Sequence, residues 1–279
     1  LSQQRSDWLF LTLRGLALLV LGWAFGALYG LTSLGLLAVF LPVSTTLLGF
    51  SVARATAAGW LVTSCACVGA LTVFAQQFPF GSLVLFLWAA YIFAALVCHA
   101  VFPRRWRTSL QVYLVGLFMV IGAGMVWQAY PTLAEGVFRS AETRLLPPSS
   151  RVWQIVVSGG LLAGVLGGMT GLGGGYVLVP VLVFAGIAPL SALWLSLWLM
   201  LPLALLSAFV SVKRATPSWS QEGWLSAGAF LGGVAGASWA TSFSAGMLVL
   251  CFGAAMTAVC FITWRSLAAI EKATSPEDD

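Results

Sequence analysis

The chain has 279 residues, of which 60% are hydrophobic and 8% charged, with a mean hydropathy of +0.99 and a formal net charge of +5. A soluble domain is about one quarter charged, so a water-soluble enzyme is excluded. At about 20 residues per crossing the apolar material supplies roughly eight spans, and continuous runs such as Leu16–Leu28 and Leu193–Leu206 exclude an outer-membrane barrel, whose strands alternate.

In chain order, apolar segments are expected over about 9–27, 30–49, 56–74, 82–102 and 109–127. No cleavable signal peptide is expected, because the first run leads straight into further membrane. The polar stretch 128–152, ending in Pro147-Pro148-Ser149-Ser150, is the candidate linker. Within it, Leu133–Leu146 pairs Glu135 with Arg139 at i,i+4 and predicts a short surface helix. Five more apolar segments follow, over about 153–169, 174–187, 190–211, 223–241 and 246–264, before a charged tail over 267–279.

The two sides of the linker repeat. Residues 26–43 laid on 164–181 are identical at nine of 18 positions, including Gly26/Gly164, Gly30/Gly168, Thr32/Thr170, Gly35/Gly173 and Pro42/Pro180. One residue of slip later, Gly49 meets Gly186 and Ala55 meets Ala192. Segments 9–49 and 153–187 are too long for one span, and glycines interrupt both, which predicts helical hairpins. Each half then has an odd number of elements, and the second is inverted. That topology puts ten basic residues (Arg5, Arg14, Arg54, Arg104, Arg105, Arg107, Lys213, Arg214, Arg265, Lys272) on the cytoplasmic side and Arg139, Arg144 and Arg151 outside. The alternative of single crossings gives nine to four and leaves Arg104-Arg105-Trp106-Arg107 in an external turn. The expected fold is therefore an all-α polytopic membrane protein of two inverted repeats. Each is a broken helical hairpin plus three transmembrane helices, about 8–10 membrane elements in all. The first repeat takes residues 1–127, the linker 128–152, the second repeat 153–266 and the tail 267–279. Duplications of this kind are common among secondary transporters.

The sharpest local signal is Thr170-Gly171-Leu172-Gly173-Gly174-Gly175 with Pro180. Such a run holds a helix poorly, and a broken helix in lipid is tolerated where it is buried or lines a cavity. Backbone N–H groups at the start of the next half-helix would cradle an anion. The competing reading is close packing, since Gly164/Gly168, Gly167/Gly171, Gly171/Gly175 and Gly232/Gly236 have small-xxx-small spacing. Thr32, Ser33 and Thr170 add hydroxyls that bond an oxyanion or cap the broken helices. Alanine at Gly174 or Gly175 is expected to remove positive-φ freedom and lower anion affinity before harming the fold.

All eight acidic residues (Asp7, Glu135, Glu142, Glu222, Glu271, Glu277, Asp278, Asp279) fall in the linker, at span ends or in the tails. With no carboxylate inside a span, a metal or amine exporter is disfavoured. His99 is read as interfacial, and Lys213 and Arg214 as anchors. The tryptophans near span ends, such as Trp8, Trp127, Trp153 and Trp264, are read the same way. Cys65, Cys67, Cys98, Cys251 and Cys260 lie in apolar segments without a Cys-x-x-Cys pair, so a zinc site or disulfide framework is not expected. They are read as small packing residues.

The run 171–175, followed by Val179-Pro180, Gly186 and Pro189-Leu-Ser-Ala192, resembles the signature of the sulfite exporter TauE/SafE family, also described as the 4-toluene sulfonate uptake permease group. A degenerate copy, Gly30-Leu-Thr-Ser-Leu-Gly35, then Pro42, Gly49 and Val52-Ala-Arg54-Ala55-Thr56, stands in the first half, with Leu36 and Leu37 in place of the last two glycines. The resemblance implies movement of sulfite, organosulfonates or related small anions across the bacterial inner membrane. The candidate substrate-binding residues are Thr32, Ser33, Gly35, Thr170, Gly171, Gly173, Gly174 and Gly175, with Arg54 added from its position in the family motif. The expected mechanism is alternating access around hairpin tips near the midplane. Catalytic residues, metal and cofactor are not expected. The expected partners are a small anionic substrate and the lipid bilayer, not nucleic acid, with a homo-oligomer left open. Two other classes compete: a membrane assembly protein without transport, and an intramembrane enzyme using Ser238 with His99 as base.

Overall fold

A computed structural model describes residues 2–35, 37–74, 88, 91–92, 104–134, 150–170, 174–215 and 218–274. Among them the chain forms helices and no strands. The helices are α1 (Ser2–Thr32), α2 (Leu37–Leu47), α3 (Val52–Phe74), α4 (Arg104–Ala134), α5 (Ser150–Thr170), α6 (Gly175–Phe184), α7 (Pro189–Arg214), α8 (Trp219–Ser242) and α9 (Ala245–Thr274). Among the described residues five stretches are long and apolar enough to cross a membrane: Thr12–Thr32, Val52–Phe74, Val112–Tyr130, Pro189–Arg214 and Ala245–Arg265. Most of the expected 82–102 span, with Cys98 and His99, lies outside the described residues. So does most of the expected surface helix 133–146.

The helix boundaries carry the sequence repeat. Thr32 ends α1 and Gly175 opens α6, while α5 is described as far as Thr170 and α2 from Leu37, and these positions pair at the offset that aligns the two sequences. Gly49 and Gly186, paired only after the one-residue slip, both adopt positive φ, +65° and +84°. After α6, Gly186 N–H bonds Val183 O at 2.9 Å and Ile187 N–H bonds Leu182 O at 3.0 Å, a Schellman closure. After α2, Phe50 N–H instead reaches Ser44 O at 3.2 Å, so the extra residue is absorbed in a wider turn. A methyl group at Gly186 would meet open space, leaving left-handed backbone as the sole demand for glycine there. Gly186→Ala is expected to lower stability by about 1 kcal/mol, read from thermal unfolding in detergent.

Packing divides the chain into two compact units that interleave the sequence halves. The first comprises Leu1–Val84 with Leu197–Ser242, and the second Leu85–Ser196 with Phe243–Asp279. In the first, α8 packs along α1 and α3. Gly22, Gly26 and Gly30 of α1 abut the carbonyls of Leu225, Ala229 and Gly233, while Gly228, Gly232 and Gly236 abut those of Leu19, Trp23 and Ala27. Small residues every four positions bring the two backbones into contact without side chains between them. Gly69 and Gly233 make the same approach between α3 and α8, against the carbonyls of Phe230 and Ala66.

These contacts rise together in number, so α1 runs parallel to α8. Arg54 meets Glu222 near the start of α3 and α8, and Gly69 meets Phe230 further along, so α3 is parallel to α8 as well. The chain between α1 and α3 must therefore reverse, and α2 is the return arm. Its 11 residues extend about 16 Å, half a membrane crossing. Segment 9–49 is thus a hairpin rather than a single span.

In the second unit, α4 pairs with α9, so closely that a methyl group on Gly122 would stand 3.0 Å from Gly253 O. The opposite face of α4, with Tyr113, Leu117, Val120 and Trp127, is apolar and exposed, the pattern of a lipid-facing stripe.

Candidate functional site

In the first unit α1 ends at a buried tip. Thr32, Ser33, Leu34 and Gly35 are all buried. The Thr32 hydroxyl donates to Leu28 O at 2.7 Å and accepts from Leu34 N–H at 3.4 Å, so it mainly serves to cap its own helix. Ser33 stops the helix by turning left-handed, with φ of +51°, while its N–H reaches Tyr29 O at 2.6 Å. This region is strained for any residue but glycine, at about 1 kcal/mol. The Ser33 hydroxyl is buried and makes no hydrogen bond. Such an orphan calls for an explanation, and a ligand oxygen arriving at the tip would supply one.

The matching break in the second unit lies between Thr170, the last residue of α5, and α6. Gly171 and Gly173 are outside the described residues. Gly174 caps α6, and Gly175 is its first residue; both are buried. Gly174 has φ −72° and ψ −16°, so the positive-φ role expected from the sequence is corrected. Its demand is spatial. A methyl group would stand 2.7 Å from the Tyr91 hydroxyl oxygen and 2.8 Å from its Cε2, and Tyr91 is 1% exposed. Beyond it, Tyr176 stacks on Phe118 with ring centroids 6.1 Å apart. Gly174→Ala is therefore expected to overpack the break and lower stability by about 1–3 kcal/mol, visible as a fall in Tm. The sequence alone had suggested a change harmless to the fold.

Arg54 is not at the tip. It stands in the first turn of α3, at the far end of α2 from Ser33. There its Nε donates to Glu222 Oε1 at 2.7 Å and its Nη2 to Gln221 Oε1 at 2.9 Å. Its guanidinium lies 4.1 Å from the Phe50 ring centroid. Glu222 is in the first turn of α8, at a span end as expected, yet it is 1% exposed, and its Oε2 is buried without a partner. The sequence reading missed this pair. The available signal was one cation opening α3 and one carboxylate opening α8, in two otherwise uncharged helices.

Other candidates have local duties. The Ser238 hydroxyl donates to Val234 O at 2.8 Å within its own helix, on an exposed face. Lys213 and Arg265 lie over Phe209 and Phe261, at 4.0 and 5.7 Å from the ring centroids, as snorkelling anchors do. Cys67 is buried and donates to Leu197 O at 3.1 Å, a packing role. Among the described residues no cluster of His, Cys, Asp or Glu could hold a metal ion.

A duplicated broken helix, with a buried polar tip in one copy and a glycine-capped half-helix in the other, is an arrangement that recurs where secondary transporters build their substrate and ion sites. Residues 156–278 match the model of the sulfite exporter TauE/SafE family. The matched stretch opens within α5 and takes in the whole second break, from Thr170 to Gly175, as well as α6 to α9. No curated protein and no solved structure matches the chain. The five apolar helices among the described residues, together with the TauE/SafE match, indicate a multi-pass membrane protein.

Proposed function

We propose that the chain is a secondary transporter of small oxyanions, of which sulfite, organosulfonates and related organosulfur anions are the first choice. It works by alternating access around the hairpin tips in the bacterial inner membrane. The observation that carries this reading is the TauE/SafE match over a half whose broken helix is repeated, at a constant offset, in the other half. Substrate contacts are assigned to Ser33, Thr32 and Gly35 at one tip and to Thr170, Gly171, Gly173, Gly174 and Gly175 at the other. The two repeats are taken as inverted, with the ten-residue basic set cytoplasmic. The protein has no catalytic step of its own, needs no cofactor, and has the anion and the lipid bilayer as its partners. A homo-oligomer is compatible with all of this.

A thermal-shift screen of the purified protein against sulfite, sulfate, thiosulfate, sulfoacetate, taurine and lactate tests the reading. Stabilisation follows RT ln(1 + [L]/Kd), so a substrate at about a hundred times its Kd should add about 2.7 kcal/mol. Sulfite or sulfoacetate should raise Tm most. A panel in which no sulfur anion shifts Tm would contradict the proposal.

A further inference from the structure

We propose that the groove between α4 and α9 is a binding site for one anionic phospholipid, whose acyl chain fills the groove and whose phosphate is held by Arg265. The inference stands apart from the transported substrate and concerns the bilayer side of the second unit.

The groove encloses about 460 Å³ between Met119, Ala123 and Val126 of α4 and Ala254, Ala258 and Phe261 of α9. Binding sites for small molecules span about 300–1,000 Å³, so there is room for an ordered chain. The two helices are antiparallel: a methyl group on Gly122 would meet Thr257, and one on Gly253 would meet Met125 and Val126. Met119 and Phe261 therefore stand at one end of the groove, and Val126 and Ala254 at the other. Ala254 is at the middle of the candidate span Ala245–Arg265, which Arg265 ends. From Ala254 to Arg265 the helix rises about 16 Å, close to the hydrocarbon depth of one leaflet, about 15 Å. The groove thus runs from the midplane towards one membrane surface and has a cation at that surface. This is the layout of one phospholipid, chain below and headgroup above.

The lining chemistry agrees. Thr257 is the one polar residue of the lining, and its hydroxyl donates to Gly253 O at 2.8 Å within α9. Ala123, Ala254 and Ala258 are exposed, so the groove opens sideways into the lipid. No water is available there, and hydrocarbon is the natural filling. Phe261 both lines the groove and lies under the Arg265 guanidinium, which ties the apolar part of the site to the charged part. Arg265 is exposed and has no ion pair among the described residues. The spans Val112–Tyr130 and Ala245–Arg265 contain no Asp or Glu. A two-fold contact through this face would pair these same spans and bring no counter-charge to Arg265, whereas a phosphate supplies one. Basic groups at the ends of membrane helices attract anionic headgroups in this way. Trp264, exposed next to Arg265, has the amphipathic ring that settles at headgroup level.

The test is native mass spectrometry of the purified, delipidated chain, titrated with palmitoyl-oleoyl phosphatidylglycerol or with phosphatidylcholine of the same chains. Wild type should bind the first phosphatidylglycerol about fivefold more tightly than phosphatidylcholine, the scale of one basic residue at a membrane surface. Arg265→Gln should remove that preference and leave phosphatidylcholine binding unchanged. The reading is this loss, since other basic residues also sit at span ends. Ala258→Trp, at an exposed position, should fill the groove and weaken the first binding of both lipids about tenfold. Ala254→Leu should do so to a smaller degree and serves as the second variant should Ala258→Trp not fold. Glycerol 3-phosphate, a headgroup without chains, should not displace the lipid. A preference for phosphatidylglycerol that survives Arg265→Gln would overturn the proposal, and so would displacement by glycerol 3-phosphate. Lipid binding untouched by both groove variants would overturn it too. A dimer that these variants dissociate, with no lipid preference in wild type, would overturn it in favour of a second copy on this face.

Discussion

Valine at Gly232 is expected to unfold the first unit or prevent its assembly. A single methyl group there runs into the Trp23 carbonyl and stands 2.7 Å from the Ala27 nitrogen. These are backbone atoms, so no rotamer change relieves the clash, and α1 and α8 must move apart. Separation would also strip the neighbouring contacts at Gly26, Gly228 and Gly236, which are equally close. Overpacking of a core typically costs about 1–3 kcal/mol. Here the loss should be at or above the top of that range, because the whole helix pair is displaced. Gly116 is the control: nothing lies within 4 Å of a methyl group at that position in α4. Gly116→Ala should be neutral or stabilising by up to about 1 kcal/mol through helix propensity. Thermal unfolding in detergent, followed by the fluorescence of the 13 tryptophans, separates the two. A Gly232→Val protein as stable as wild type would contradict the close α1–α8 packing.

The second large effect is expected at Arg54. Arg54→Met leaves the Glu222 carboxyl buried without the one ionic partner it has among the described residues, a kind of change that costs about 3–5 kcal/mol. Removing both charges, as in Arg54→Met/Glu222→Leu, should recover most of that loss, because an apolar pair of similar volume needs no compensation. The double-mutant cycle thus gives a coupling energy well above the 0–1 kcal/mol of exposed ion pairs. A coupling energy within that exposed-pair range would mean that Glu222 is hydrated.

Much of the fold was legible because it depends on local chemistry. Glycine density located the two breaks, and the repeat placed them correctly relative to each other. Gly49 and Gly186 matched in sequence because both copies close an arm with left-handed backbone. What escaped the sequence was long-range. Gly26 and Gly30 read as part of the hairpin motif, yet they serve the crossing with α8, whose residues lie some 200 positions away. Gly174 read as an open cradle because nothing local reveals Tyr91, which arrives from a segment far upstream. Glu222 was correctly placed at a helix end, and a helix end suggests hydration. Only the parallel course of α3 and α8 shows that Arg54 covers it. The compact units mix elements of both sequence halves for the same reason: duplication fixes what each copy contains, and packing decides which neighbour each helix meets.

The most direct measurement is counterflow in proteoliposomes. Vesicles holding the purified chain are loaded with unlabelled sulfite and diluted into a trace of labelled sulfite without an imposed gradient of any other ion. The account predicts transient accumulation of label above its external concentration, slowed or abolished by excess external sulfite or organosulfonate and absent from empty vesicles. Label that only equilibrates passively, at the same rate with and without protein, for sulfite and for sulfonates alike, would contradict it.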